Sequence, residues 1–193
     1  MLNIDSDGMI VNDRVHLARR LAIEKAKLET IHGLIVHQTG APTAGSSLES
    51  YRKPGANGAH LLIDRDGTLY QTASLYRQTW HVGKLKTRCL AEHRCSAVET
   101  RLLKSFNPFE ENRREMRKSV PGRYPANVDS IGIELVGGVD GSGVYDPVTT
   151  QQNEALSWLV RELMGTFHFA ASEIFRHPVV SRKTPSEAET ARW

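Results

Sequence analysis

Four side chains stand where chemistry is usually built. His37 closes the apolar run of "HGLIVHQTG" (residues 32–40), and a glycine-containing loop follows at once. Loops at strand ends are where sites are assembled. His177 repeats the arrangement in "EIFRHP", with Ile174 and Phe175 before it and Pro178 after it, a proline expected to stop any helix. Two imidazoles carried by two strand ends can meet at one point. A catalytic zinc needs this, since it takes three protein ligands and leaves a fourth position for water. Glu134 interrupts "SIGIELVGG" (130–138) between an isoleucine and a leucine. Strict alternation puts Ile131, Ile133 and Leu135 inward and Glu134 on a solvated face. If both faces are covered, the carboxylate costs on the order of several kcal/mol unless it is paired or protonated; it then suits a general acid or base beside a metal. Pattern alone leaves both readings open. Lys183, in "HPVVSRKTP", is by itself a surface lysine. Beside a metal it could hold an oxyanion electrostatically.

The elements that must position these groups follow from periodicity and punctuation. "GLIVH" (33–37) has the length and β-branched content of a short buried strand. Residues 38–58, rich in Gly, Pro, Ser and Asn, make a loop with one helical turn over 46–51. Residues 59–72 carry a hairpin signature, two apolar stretches around Asp64, Asp66 and Gly67. Residues 130–138 form a second buried strand. Residues 148–167 form the best helix: Thr149 and Gln152 make a capping box, and Leu156, Leu159, Val160, Leu163 and Phe167 share one face. Residues 14–29 have a helical composition with irregular apolar spacing. The stretch 84–125 is highly charged and is expected to be a surface insertion with short helices. Residues 173–193 run from a strand or loop into a polar tail. Short strands among helices predict an α/β domain with a central mixed β-sheet.

The chain has 193 residues, 39% hydrophobic and 24% charged, which suits one globular domain over 1–193. The net charge of +3 is too small to argue for nucleic acid. No apolar run approaches the ~20 residues of a membrane span, so no membrane insertion is expected. The N-terminus lacks a basic n-region and an apolar h-region, so no secretory signal is expected. Cys89 and Cys95 could pair, bind metal or stay free; too few ligands surround them for a structural zinc site.

Taken in order, "GLIVHQTG", "NGAHLLIDRDGTLYQ", "TWHVG", "SIGIEL" and "FRHPVVSRKTP" resemble the zinc-dependent N-acetylmuramoyl-L-alanine amidases of the second class. That class shares its fold with phage lysozyme-type amidases and animal peptidoglycan recognition proteins. The match spans about residues 31–187, interrupted by 84–125. The resemblance implies a central mixed β-sheet flanked by helices with Zn2+ in a groove. It places the first ligand at His37, the second at His177, the water-activating carboxylate at Glu134 and the oxyanion-stabilising lysine at Lys183. The family's third ligand, an Asp or Cys two residues beyond that lysine, falls on Pro185, which has no ligating side chain. Glu187 is the expected substitute and Glu189 the weaker candidate. A tyrosine that some phage members place before the "H" of "AHLLID" is Ala59 here. His60 and His81 occupy positions near the groove and are expected to contact substrate or pack. Arg52, Lys53, Lys84 and Lys86 lie on groove loops where stem carboxylates would come.

The implied reaction is hydrolysis of the amide between N-acetylmuramic acid and L-alanine, with peptidoglycan or muropeptides as partners. A non-catalytic peptidoglycan-binding module of the same fold is the alternative, kept open by the irregular third-ligand position. A zinc hydrolase of a different acyl amino acid is a third, and would need a deep enclosed pocket. Three settings fit a leaderless chain: a cytoplasmic recycling enzyme, a phage endolysin, or an antibacterial effector exported by a type VI-like secretion system. The cysteine pair favours an oxidising space, and the wording of residues 37–85 looks most like the effector group. An effector implies a cognate immunity protein that blocks the groove.

Overall fold

The computed structural model describes residues 1–105 and 107–193. Among these residues six strands form one sheet: β1 (Val15–Leu17), β2 (Gly33–Gly40), β3 (Leu61–Ile63), β4 (Leu69–Gln71), β5 (Ser130–Gly138) and β6 (Ile174–Arg176), in the spatial order β1-β4-β3-β5-β2-β6. Only the β3–β4 hairpin is antiparallel; the other four pairings are parallel. This is the mixed α/β sheet that the pattern predicts.

Among the described residues six α-helices accompany the sheet: α1 (Ala44–Ser50), α2 (Arg88–Ala91), α3 (Ala97–Leu102), α4 (Pro108–Glu115), α5 (Thr150–Phe167) and α6 (His177–Val180). Helix α5 covers one face. Its buried Leu156, Leu159, Val160 and Leu163 pack with Leu34, Val36, Ile131, Ile133 and Leu135. Burial of each such side chain stabilises by about 1.5–3 kcal/mol. The expected capping box is present, and Gln152 does more than cap. Its amide also donates to the Ile63 and Val136 carbonyls at 3.1 and 2.8 Å, fixing α5 to β3 and β5.

Three expectations need correction. Residues 14–29 are not an α-helix but β1 followed by a 3-10 turn at Leu21–Ile23. Backbone pairing with β4 continues past β1 through Ala18 N–H to the Gln71 carbonyl (2.9 Å) and Arg20 N–H to the Thr72 carbonyl (2.7 Å), which takes the donors a helix would use. Pro178 does not end a helix; it sits in the first turn of α6, where a missing N–H costs nothing. The insertion does contain three short helices, but it is more than a solvated surface. Arg88, Glu111, Glu115 and Arg123 are all buried. Arg88 makes a two-pronged pair with Glu173 (2.6 and 2.9 Å), and Arg123 pairs with Asp129 at 2.6 Å. A Cys89–Cys95 disulfide closes the segment after α2. The sequence shows these charges but not their partners, several of which lie outside the insertion.

Candidate metal centre and active site

Strand register assembles the site. In the β2–β5 pairing His37 stands beside Glu134. In the β2–β6 pairing Val36 stands beside Arg176, so the chain leaves β6 with His177 alongside His37. Three adjacent strands thus present Glu134, His37 and His177 in one row, on the face opposite α5. The alternation along β5 holds: Ile131, Ile133 and Leu135 face α5. The other face is not bulk solvent, however, and Glu134 lies on the floor of a groove.

That groove has a volume of about 540 Å³ and is lined by His37, His81, Glu134, His177, Lys183 and Glu187, with Trp80, Asn57 and Tyr145 among the residues around it. The His37 and His177 ring centres are 4.2 Å apart. Glu187 reaches in from the loop after α6, its Oε1 2.9 Å from His177 Nδ1 and 3.6 Å from His37 Nδ1. One ligand atom from each of the three lies within 4.8 Å of the others, and all three residues are at most 4% exposed. Glu189 is exposed and stands outside this group. The Gln38 side chain accepts from Ala188 N–H (3.1 Å) and anchors the turn that swings Glu187 inward. A glutamate two positions late thus reaches where Pro185 has no side chain to offer.

The donor set fits a zinc ion. His177 Nε2 lies 2.8 Å from the Val82 carbonyl, which can only accept, so Nε2 carries a proton and Nδ1 is the nitrogen turned to Glu187, where a metal would take the place of their 2.9 Å contact. Burial, then the neighbouring His177, push His37 down to about 4, leaving a neutral ring at neutral pH. Burial alone would raise Glu187, but its close contacts with the His177 and His37 rings hold it well below the usual carboxylate range. Neutral imidazoles and an ionised carboxylate are the protonation states a zinc site requires. Burial, then repulsion from Glu187, raise Glu134 to about 7, while Lys183 and the Tyr51 hydroxyl pull the other way. A carboxyl poised near neutrality suits proton transfer.

The other expected residues divide. His81 lies in the groove against His37, its Nδ1 2.9 Å from His37 Nε2. His60 takes the packing alternative: it is fully buried, donates from Nε2 to the Arg77 carbonyl (2.8 Å) and accepts at Nδ1 from Gly132 N–H (3.0 Å). Both of its nitrogens are used inside the protein. Lys84 lies under the Phe109 ring at 4.0 Å and, with Lys183, lines an adjoining recess. Lys86 donates to the Pro178 carbonyl, and Arg52 pairs with Glu49.

Several supporting groups escape sequence reasoning. Tyr51, at the end of α1, buries its hydroxyl beside Glu134 without a well-formed hydrogen bond. Asn127 accepts from His81 N–H and Val82 N–H (3.0 and 2.8 Å), and Asn112 of α4 accepts from Leu85 N–H (2.9 Å). The insertion therefore helps hold the segment whose Val82 carbonyl orients His177. Gly132 is the one visible signal: a Cβ there would lie 2.7 Å from His81 Nδ1, and glycine inside a buried strand marks such a close approach.

A family model described as N-acetylmuramoyl-L-alanine amidase matches residues 27–188. No curated protein matches the sequence significantly. Among solved structures, the chain is similar to a selenomethionine derivative of AmpD, with 20% identity over 96% of this chain and 94% of that one and a TM-score of 0.58. It is also similar to the amidase LysC from Clostridium intestinale URNW, with 18% identity, coverages of 89% and 86% and a TM-score of 0.50. The catalytic domain of XlyA gives 17% identity, coverages of 87% and 88% and a TM-score of 0.54. At these identities the structural likeness establishes a common fold, and the family match covers most of the sequence: the chain belongs to the N-acetylmuramoyl-L-alanine amidase family.

Proposed function

We propose that the protein is a zinc-dependent hydrolase of the amide bond between the lactyl group of N-acetylmuramic acid and L-alanine. The observation that carries this reading is the convergence of His37, His177 and Glu187 within 4.8 Å, in the groove that also holds Glu134 and Lys183. His37, His177 and Glu187 would hold the zinc. When bound, it supplies Lewis-acid polarisation of the amide carbonyl and lowers the pKa of water toward ~7. Glu134 takes a proton from the attacking water and later gives it to the leaving amine. Lys183, exposed at the groove wall, balances charge on the carbonyl oxygen as the tetrahedral centre forms. The groove opens to solvent past the exposed Trp80 and Lys183 and is no closed chamber, which favours a polymer or muropeptide over a small acyl amino acid.

The test is a muramyl dipeptide digested with zinc-loaded protein and followed by appearance of a free amine. Wild type should release it, and Glu134→Gln should release almost none while binding zinc equally. Equal release by both would contradict the reading. The Cys89–Cys95 disulfide supports action in an oxidising space. Within that setting we place export by a dedicated secretion system and an immunity protein that covers the groove. Directed to the periplasm of a Gram-negative host the protein should lyse cells, and retained in the cytoplasm it should not. Equal toxicity in both compartments would contradict it.

A further inference from the structure

One hydrogen-bond chain runs beneath the site, and its direction can be worked out. It starts at a backbone carbonyl. Ser130 Oγ donates to the Ala126 carbonyl at 2.6 Å, which can only accept, so the hydroxyl's single proton is used there. Oγ faces His81 Nε2 at 3.3 Å, and having no second proton it must accept. The His81 ring proton is therefore on Nε2 and its Nδ1 is bare. That bare Nδ1 lies 2.9 Å from His37 Nε2, so His37 must be the donor and carry its own proton on Nε2. His37 Nδ1 is left with a free lone pair facing Glu187.

We propose that His81, oriented by Ser130, is a positioning residue that fixes His37 as the Nε2–H tautomer and so presents Nδ1 to the metal. The inference rests on the zinc-site reading above. His177 has its Nε2 held by a different device, the Val82 carbonyl, so the two rings are oriented independently. The His81 ring has little freedom to do otherwise. Its backbone N–H is held by Asn127, His60 stands edge-on at 5.8 Å between ring centres, and the ring lies so close to β5 that only glycine fits at 132. Outer groups of this kind typically change metal affinity by about 10–100-fold when removed.

The experiment has two readouts. Ring-nitrogen NMR of the zinc-free protein reports which His37 nitrogen carries the proton, and competition with a chelating indicator gives the zinc dissociation constant. Wild type should show His37 protonated on Nε2. His81→Ala should give mixed His37 tautomers and zinc binding weaker by about 10–100-fold, with His177 unchanged as an internal reference. His81→Asn, whose Oδ1 can replace Nδ1 as acceptor, should restore most of both. Ser130→Ala keeps the ring but frees its proton, and should also mix the His37 tautomers, which serves if His81→Ala does not fold. A wild-type His37 protonated on Nδ1, or a folded His81→Ala with unchanged tautomer and zinc affinity, overturns the proposal. Failure of wild type to bind zinc overturns the metal reading instead, while the tautomer readout still decides this one.

Discussion

Replacing Glu134 by Gln in the zinc-free protein should make it more stable, and only above a certain pH. Burial and the nearby Glu187 raise the Glu134 carboxyl from 4.5 to about 7 in the folded chain. Folding thus favours the protonated form. The contribution is fully present below about pH 4.5 and is lost as pH rises through 7. A shift of about 2.5 units corresponds to roughly 3.4 kcal/mol. The carboxyl is partly open to groove water, and screening there reduces the figure to about 2 kcal/mol. Gln has nearly the same shape and never ionises. The variant should match wild type near pH 4.5, gain steadily above it and level off about 2 kcal/mol ahead past pH 7. For a chain of this size that is a melting-point difference of about 4–8 °C. The assay is thermal denaturation of both chelated proteins from pH 4 to 8.5. A difference that is flat with pH, or that grows toward acid, would refute the reasoning about this carboxyl.

The remaining predictions concern the ligand set, the lysine and the insertion. Glu187→Ala should lose most bound zinc at micromolar metal while Glu189→Ala retains it, as read by metal analysis after gel filtration; the reverse ranking would sink the choice of third ligand. Lys183→Ala should keep its zinc and lose on the order of 10²–10³ in kcat, and an unchanged kcat would remove the lysine from the mechanism. Arg88→Ala strands the buried Glu173 carboxylate and should cost about 3–5 kcal/mol in a denaturant titration, whereas a loss below about 1 kcal/mol would mean the pair does not anchor the insertion.

What the sequence reveals depends on where the determining partners lie. Strand β5 and helix α5 are legible because their signals are local: an apolar run closed by glycines at 137 and 138, and a capping box at Thr149 ahead of a stripe of leucines. Strand β1 is not, because two of its three residues are exposed and it is held by backbone bonds to β4, which leave no side-chain pattern. His37, His177 and Glu134 stand out because each places an ionisable group at the end or middle of an apolar run. Glu187 is legible only through the family resemblance, since its distance along the chain from Lys183 departs from the usual pattern and a turn anchored by Gln38 makes up the difference. His60 and His81 look equivalent in sequence, yet one is wholly internal and the other bonds His37; the distinction rests on packing against Gly132. The charges of the insertion resemble solvated surface because Glu173 and Arg182, which pair with Arg88 and Glu111, lie far along the chain.

Digestion of purified peptidoglycan sacculi, analysed by mass, tests the central claim most directly. Native protein should release free stem peptides beginning at L-alanine and leave glycan strands with unsubstituted lactyl groups. Chelated protein should release none, and added zinc should restore release. Cleavage between sugars, or release that persists undiminished after the metal is stripped, would contradict the account.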